Sequence, residues 1–233
     1  MADGTQLLII VPALNEAGCI GQVVGEIRGE LPGADVLVVD DGSTDHTAAV
    51  AAAAGARVAR LPYNLGVGGA MRLGYRYAHA HDYDIAVQID ADGQHDPRYV
   101  PKLIDLLDDH DLVIGARFAG EGEYTVSGPR RWAMGILSTV LSGLTGTTLT
   151  DTTSGFRAAN RRMIGMFARW YPAEYLGDTV ETLVHAARRG YRIEQVPVAM
   201  RRRLAGAPSH SPTKAMIYLG RAVAVLTLAL IRR

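Results

Sequence analysis

The first apolar run, Leu7-Leu8-Ile9-Ile10-Val11, is continuous rather than alternating and is closed by Pro12, the pattern of a strand covered on both faces. Ile20, Val23, Val24, Ile27 and Leu31 then recur at helical spacing up to Pro32-Gly33. Val36-Leu37-Val38-Val39 repeats the buried-strand pattern. Thr44 or Asp45 is placed to cap the alanine-rich helix after it, and Gly55 suits that helix's C-terminal end. Residues 57–60 read as a third, weaker strand, 85–89 as a fourth and 112–116 as a fifth, with helices near 68–80 and 97–108 between them. This alternation predicts an α/β protein with a mainly parallel central sheet covered by helices.

The second half is less regular. The spacing predicts a helix over 130–144, another over 179–189 stopped by Gly190, and a strand over 193–200. Residues 201–213 are basic and rich in Pro, Ser, Gly and Ala, the composition of a loop. With no internal repeat and no low-complexity linker, the 233 residues read as a single domain in two working halves, about 5–117 and about 118–233.

Composition narrows the function class. The 24 basic and 24 acidic residues cancel, which argues against a nucleic-acid binder with its basic excess. Cys19 is the one cysteine, so no internal disulfide can form. The N-terminus lacks the basic and apolar regions of a signal peptide, and the expectation is a cytoplasmic protein. Residues 222–231 are strongly apolar but shorter than the ~20 residues that span a bilayer. They read as a buried last helix or an interfacial one on the cytoplasmic face of a membrane.

In a parallel sheet, ligands bind beyond the carboxyl ends of the strands. Three acidic segments stand there: Pro12-Ala13-Leu14-Asn15-Glu16, Asp40-Asp41-Gly42-Ser43-Thr44-Asp45 and Asp90-Ala91-Asp92-Gly93-Gln94-His95-Asp96. Their convergence would be repulsive unless a cation relieved it. In an extended segment Asp90 and Asp92 point the same way, so both carboxylates, with Gln94 beyond them, could face one Mg²⁺ or Mn²⁺. The plainer reading is an acidic turn capping the helix that starts near Pro97. Asp40 to Ser43 could likewise be only a turn and helix cap, or it could accept hydrogen bonds from a nucleoside. An EF-hand is excluded, because His95 and Pro101 stand where its glycine and closing glutamate belong. Asn64-Leu65-Gly66-Val67-Gly68-Gly69 lacks the third glycine of a dinucleotide loop, and the chain has no P-loop motif.

Taken in order and spacing, these segments resemble the family 2 glycosyltransferases with the GT-A fold. Gly115-Ala116-Arg117-Phe118, Asp151-Thr152-Thr153-Ser154-Gly155-Phe156-Arg157 and the loop from Arg203 to Lys214 are similar to the branch containing dolichyl-phosphate mannose synthase and bacterial polyprenyl-phosphate glycosyltransferases. The resemblance implies that Pro12, Leu14, Glu16, Val39 and Asp41 hold the nucleoside of a UDP- or GDP-sugar. Asp90 and Ala91 would meet the donor, and Asp90, Asp92 and Gln94 the metal. Arg117 would meet phosphate in the reaction centre, and Arg201, Arg203, Ser209 and Lys214 would cover the diphosphate. Leu14 departs from the pattern, since the branch often carries an aromatic residue there. The Q-x-x-R-W signature of processive synthases is absent, which argues against long-polymer synthesis.

The expected reaction is an inverting, metal-dependent transfer. A polyprenyl phosphate acceptor is already ionised, and Arg117, Arg130 and Arg131 could position it. A hydroxyl acceptor would need a general base, for which Asp151, Asp178 and Glu181 are available. Two other classes remain beside these: a nucleotide-sugar-binding protein without activity, and a nucleotidyltransferase. The apolar positions over 130–144 could also serve a homo-oligomer interface.

Overall fold

The computed structural model describes residues 4–117, 129–172 and 177–204. Strands β1 (Leu7–Ala13), β2 (Asp35–Asp40), β3 (Arg57–Arg60), β4 (Ile85–Gln88) and β5 (Leu112–Arg117) alternate with helices α1 (Ile20–Glu30), α2 (Thr47–Ala53), α3 (Val67–Ala80) and α4 (Val100–Asp105). Short 3₁₀ turns flank α4 at Pro97–Tyr99 and Leu106–Asp108. The remainder contributes α5 (Pro129–Thr145), β6 (Arg157–Asn160), α6 (Arg161–Arg169), a π-turn at Gly177–Glu181, α7 (Thr182–Arg188) and β7 (Ile193–Val198). The strands form one seven-stranded sheet in the order β3-β2-β1-β4-β6-β5-β7.

Alternation along β1 divides the core in two. Leu8 and Ile10 face α3 and α6, joining Met71, Tyr75, Ile164 and Phe167. Leu7, Ile9 and Val11 face the opposite layer, with Ile20, Val23, Val24, Ile27 and Leu103. Both faces are therefore covered, which is why the first strand reads as an unbroken apolar run.

β1 pairs in parallel with β2 and with β4. The sequence pattern predicts no strand between β5 and the one over 193–200, and so misses β6, which runs antiparallel between β4 and β5. Arg157-Ala158-Ala159-Asn160 has no bulky apolar residue to mark it as a strand. Small side chains suit it, because Ala158 and Ala159 are fully buried, one in each core. With β6 reversed, β5 and β7 run the same way as β1, β2 and β4. The carboxyl ends of those five strands and the amino end of β6 share one edge.

Two local expectations need correction. α2 begins at Thr47 with His46 before it, and no side chain caps it; Asp45 instead accepts hydrogen bonds from the Thr47 N–H and hydroxyl. The helix expected from residue 179 starts as the π-turn and becomes regular only at Thr182. Glu181 therefore precedes α7 rather than lying in its first turn. Among the described residues no helix is long and apolar enough to cross a membrane; residues 222–231 lie outside them.

Candidate active site

The loops after β1 and β2 are stitched together by short polar side chains. Asn15, at φ 55°, donates its N–H to Ser43 Oγ over 2.9 Å, and its Oδ1 accepts from the Thr44 N–H at 2.9 Å. The Glu16 N–H donates to Thr47 Oγ1 at 2.8 Å. Asp41 Oδ1 and Oδ2 accept from the Leu65 and Gly66 N–H groups, each at 2.8 Å. Burial pushes the Asp41 carboxyl above its usual range, and those two N–H groups offset only part of the effect. Asp41 thus fixes the 64–66 loop beside the carboxyl end of β2. Asp40 is fully buried, with its Oδ2 3.2 Å from Arg60 Nε.

Beyond β4, Asp90 and Asp92 lie at the same edge. Asp90 Oδ1 accepts from Gln88 Nε2 at 2.9 Å. His95 Nδ1 accepts the Asp90 N–H at 3.0 Å, which leaves Nε2 as the ring's donor, 3.6 Å from Asp90 Oδ2. The His95 ring stacks on Phe156 with centroids 4.9 Å apart, so its place is fixed from both sides. Asp92 Oδ1 accepts the Gln94 N–H at 3.0 Å, and Asp92 Oδ2 is 2.9 Å from Arg203 Nη2. The Cys19 thiol sits between the first and third loops, 3.0 Å from Glu16 Oε2 and 3.2 Å from the Ala91 carbonyl. Burial first, and then the Glu16 carboxylate, push that thiol up to about 12. Cys19 is therefore a neutral donor tying two acidic loops together, not a nucleophile.

The donor set fits a hard divalent cation. Two carboxylates at one sheet edge, one of them neutralised by a guanidinium, are oxygen ligands of the kind Mg²⁺ or Mn²⁺ shares with substrate phosphates. Among the described residues no group of three or more His, Cys, Asp or Glu gathers to hold a metal alone.

Other expected residues fall as follows. Pro12 and Val39 pair across β1 and β2 near their carboxyl ends, and Leu14 is 37% exposed just beyond. Arg201 is not poised over this edge. Its guanidinium binds Glu26 Oε2 at 2.6 Å and Asp96 Oδ1 at 2.8 Å, anchoring the chain after β7. Burial raises the Asp96 carboxyl, but its bonds to Arg98 and Arg201 outweigh that and hold it low. Asp151 uses Oδ1 to accept from the Thr153 N–H and hydroxyl, which caps its own turn. Glu181 ends the π-turn that also carries Asp178. Arg117 closes β5, and Arg130 and Arg131 lie in the first turn of α5; the side chains of these three and of Asp178 are outside the described part. Ser209 and Lys214 lie outside the described residues.

Cys19, His95 and Gly155 were not singled out from the sequence as functional. His95 carried a visible signal, following Asp90 by five positions in an acidic turn. Cys19 carried none, because its place depends on close approach between distant loops.

Comparison with known proteins completes the picture. Residues 8–165 match the model of glycosyl transferase family 2. An undecaprenyl-phosphate mannosyltransferase of Micrococcus luteus is 33% identical over 205 residues, covering 83% of this chain and 82% of that protein. A dolichyl-phosphate hexose transferase of Haloferax volcanii is 31% identical over 226 residues, covering 95% and 94%. Among solved structures, glucosyl-3-phosphoglycerate synthase of Mycobacterium tuberculosis, in complex with Mn²⁺, uridine diphosphate and phosphoglyceric acid, superposes with a TM-score of 0.72 at 27% identity. That likeness covers 97% of this chain and 78% of the solved one.

Proposed function

This chain belongs to glycosyl transferase family 2, with the GT-A fold and a nucleotide-sugar donor, and on that premise we propose that it passes a hexose with inversion to a polyprenyl phosphate. The observation that carries this reading is the gathering of Asp41, Asp90 and Asp92 at one sheet edge, and the names of the first two relatives above, both for polyprenyl-phosphate acceptors, support it.

Pro12, Leu14, Glu16, Val39 and Asp41 frame the nucleoside, and the Asp41-clamped 64–66 loop closes its side. Asp90, Ala91 and Asp92 meet the diphosphate, with Asp90, Asp92 and Gln94 as the residues that would hold Mg²⁺ or Mn²⁺. When bound, that cation supplies positive charge against the departing diphosphate. Arg203 adds a guanidinium on the same side, and Ser209 and Lys214 extend the basic cover. Arg117, Arg130 and Arg131 orient the acceptor phosphate. One of its oxygens attacks the anomeric carbon from the face opposite the leaving group. The new carbon–oxygen bond forms as the bond to the nucleoside diphosphate breaks, and the diphosphate departs with the electron pair.

A lipid phosphate needs no proton removed, whereas a hydroxyl acceptor requires a base. The two halves, about 5–117 and about 118–233, then serve donor and acceptor respectively. The chain would work at the cytoplasmic face of a membrane, where its lipid substrate lies.

A panel of UDP- and GDP-sugars with Mn²⁺ or Mg²⁺ tests this, assayed with undecaprenyl phosphate, with phosphoglyceric acid or with neither. Nucleoside diphosphate and lipid-linked sugar should appear together only with the lipid phosphate. Turnover only with phosphoglyceric acid would replace the acceptor assignment, and release of pyrophosphate would replace the reaction.

A further inference from the structure

Residues 201–204 lie along the Asp92–Gln94 turn like an added strand. The Arg201 N–H donates to the Gln94 carbonyl at 2.9 Å and the Leu204 N–H to the Asp92 carbonyl at 3.0 Å. Leu204 covers Gly93, which has φ +77°; a Cβ there would come within 2.4 Å of Leu204 Cδ1. Arg201 pins the start of the segment to Glu26 and Asp96. Arg203 is thereby delivered to Asp92, with Nη2 2.9 Å from Oδ2, while Oδ1 is taken by the Gln94 N–H.

A divalent ion binds carboxylate oxygen at roughly 2.0–2.2 Å. An ion on Oδ2 would lie within a few ångström of the guanidinium that Oδ2 holds, and two cations that close repel strongly. Asp92 can serve one or the other.

We propose that Arg203 is the stand-in cation of the nucleotide-free enzyme: it neutralises Asp92 until metal and nucleotide diphosphate arrive together, then exchanges Asp92 for the diphosphate. The proposal rests on the metal reading of Asp92 given above. Metal alone must displace the guanidinium without offering it a new partner, so its apparent affinity is reduced by the fraction of molecules in the paired state. Metal with diphosphate replaces one anion by another for Arg203, so the two ligands bind cooperatively. Removing Arg203 should have opposite effects on them. An arginine that merely supports the fold would weaken both.

The test uses the full chain and Mn²⁺ titrations followed by electron paramagnetic resonance, without nucleotide. Arg203→Ala and Arg203→Gln should bind Mn²⁺ about 1.5- to 5-fold more tightly than wild type, the range expected for loss of a partly exposed ion pair. Adding Asp92→Asn to Arg203→Ala should remove the gain. In saturating Mn²⁺, calorimetry with UDP and GDP should show the nucleotide that wild type binds bound more weakly by both Arg203 variants. If Asp92→Asn lowers Mn²⁺ affinity but neither Arg203 variant raises it, the stand-in role is wrong and the metal site survives. If Asp92→Asn binds Mn²⁺ as wild type does, the metal reading and the stand-in role fall together.

Discussion

Gly155 lies against Asp90 so closely that a Cβ on it would sit 3.1 and 3.2 Å from the two carboxylate oxygens, and 2.6 Å from Gln88 Nε2. The loop before β6 is thus the floor under the proposed metal ligand, and the absence of a side chain there is what lets Asp90 and Gln88 keep their 2.9 Å hydrogen bond. Gly155→Ala should lower glycosyl transfer about 10- to 100-fold, as expected when a ligand's supporting contact is lost. Activity and urea denaturation measured side by side check this, with the stability change expected to be under about 2 kcal/mol. Unchanged activity in a folded variant would mean Asp90 need not hold its present position.

Arg157 is the largest fully buried side chain, and no carboxylate pairs with it among the described residues. Its guanidinium donates to the carbonyls of Ser154 at 2.8 Å, Thr152 at 3.3 Å and Thr179 at 3.4 Å, and to Thr182 Oγ1 at 3.1 Å. It therefore joins the floor loop to the π-turn that carries Asp178 and Glu181. Neither lysine nor methionine can satisfy those four acceptors. Arg157→Lys and Arg157→Met should each lose about 2–4 kcal/mol in urea denaturation, because buried carbonyls are left unpaired.

Asp41→Asn tests the clamp on the 64–66 loop. Asparagine keeps one acceptor oxygen but turns an amide N–H₂ toward a backbone donor, so one of the two bonds to Leu65 and Gly66 is lost. The expected cost is about 1–3 kcal/mol. Steady-state kinetics should show the donor KM rising more than kcat falls, since in the proposed reading the loop frames the nucleoside and not the reacting carbon.

Part of the acid sensitivity should arise at Asp111, away from the site. Burial raises its carboxyl, but the Arg192 N–H, Asn160 and Arg162 outweigh that and hold it below the ordinary value. A depressed folded value adds stability that is complete above the unfolded value, about pH 3.9, and is lost as pH falls through the folded one. Asp111→Asn should be less stable than wild type in urea at pH 7, and the gap should shrink below about pH 4.

Much of the sheet was legible because buried parallel strands announce themselves as apolar runs, and the acidic turns at their ends stand out by contrast. β6 was not legible, since a strand of alanines between two neighbours has no apolar mass of its own. The aspartates of the third turn could be placed at one edge by topology alone. What Arg201 and Arg203 do could not be separated in sequence, where they are neighbours in one basic stretch; the fold gives the first to Glu26 and Asp96 and the second to Asp92. Asp41 reads as a ligand group in sequence, but its two oxygens face backbone N–H groups of a loop more than twenty residues away.

The central claim is that Asp92 anchors a divalent cation beneath a sugar nucleotide. Its direct measurement is nucleoside diphosphate release, with undecaprenyl phosphate and Mn²⁺, by wild type and by Asp92→Ala of equal thermal stability. The account predicts metal-dependent release by wild type, abolished by chelator, and a fall of about 100-fold or more in the variant. Turnover by a folded Asp92→Ala protein at the wild-type rate, still dependent on the metal, would contradict it.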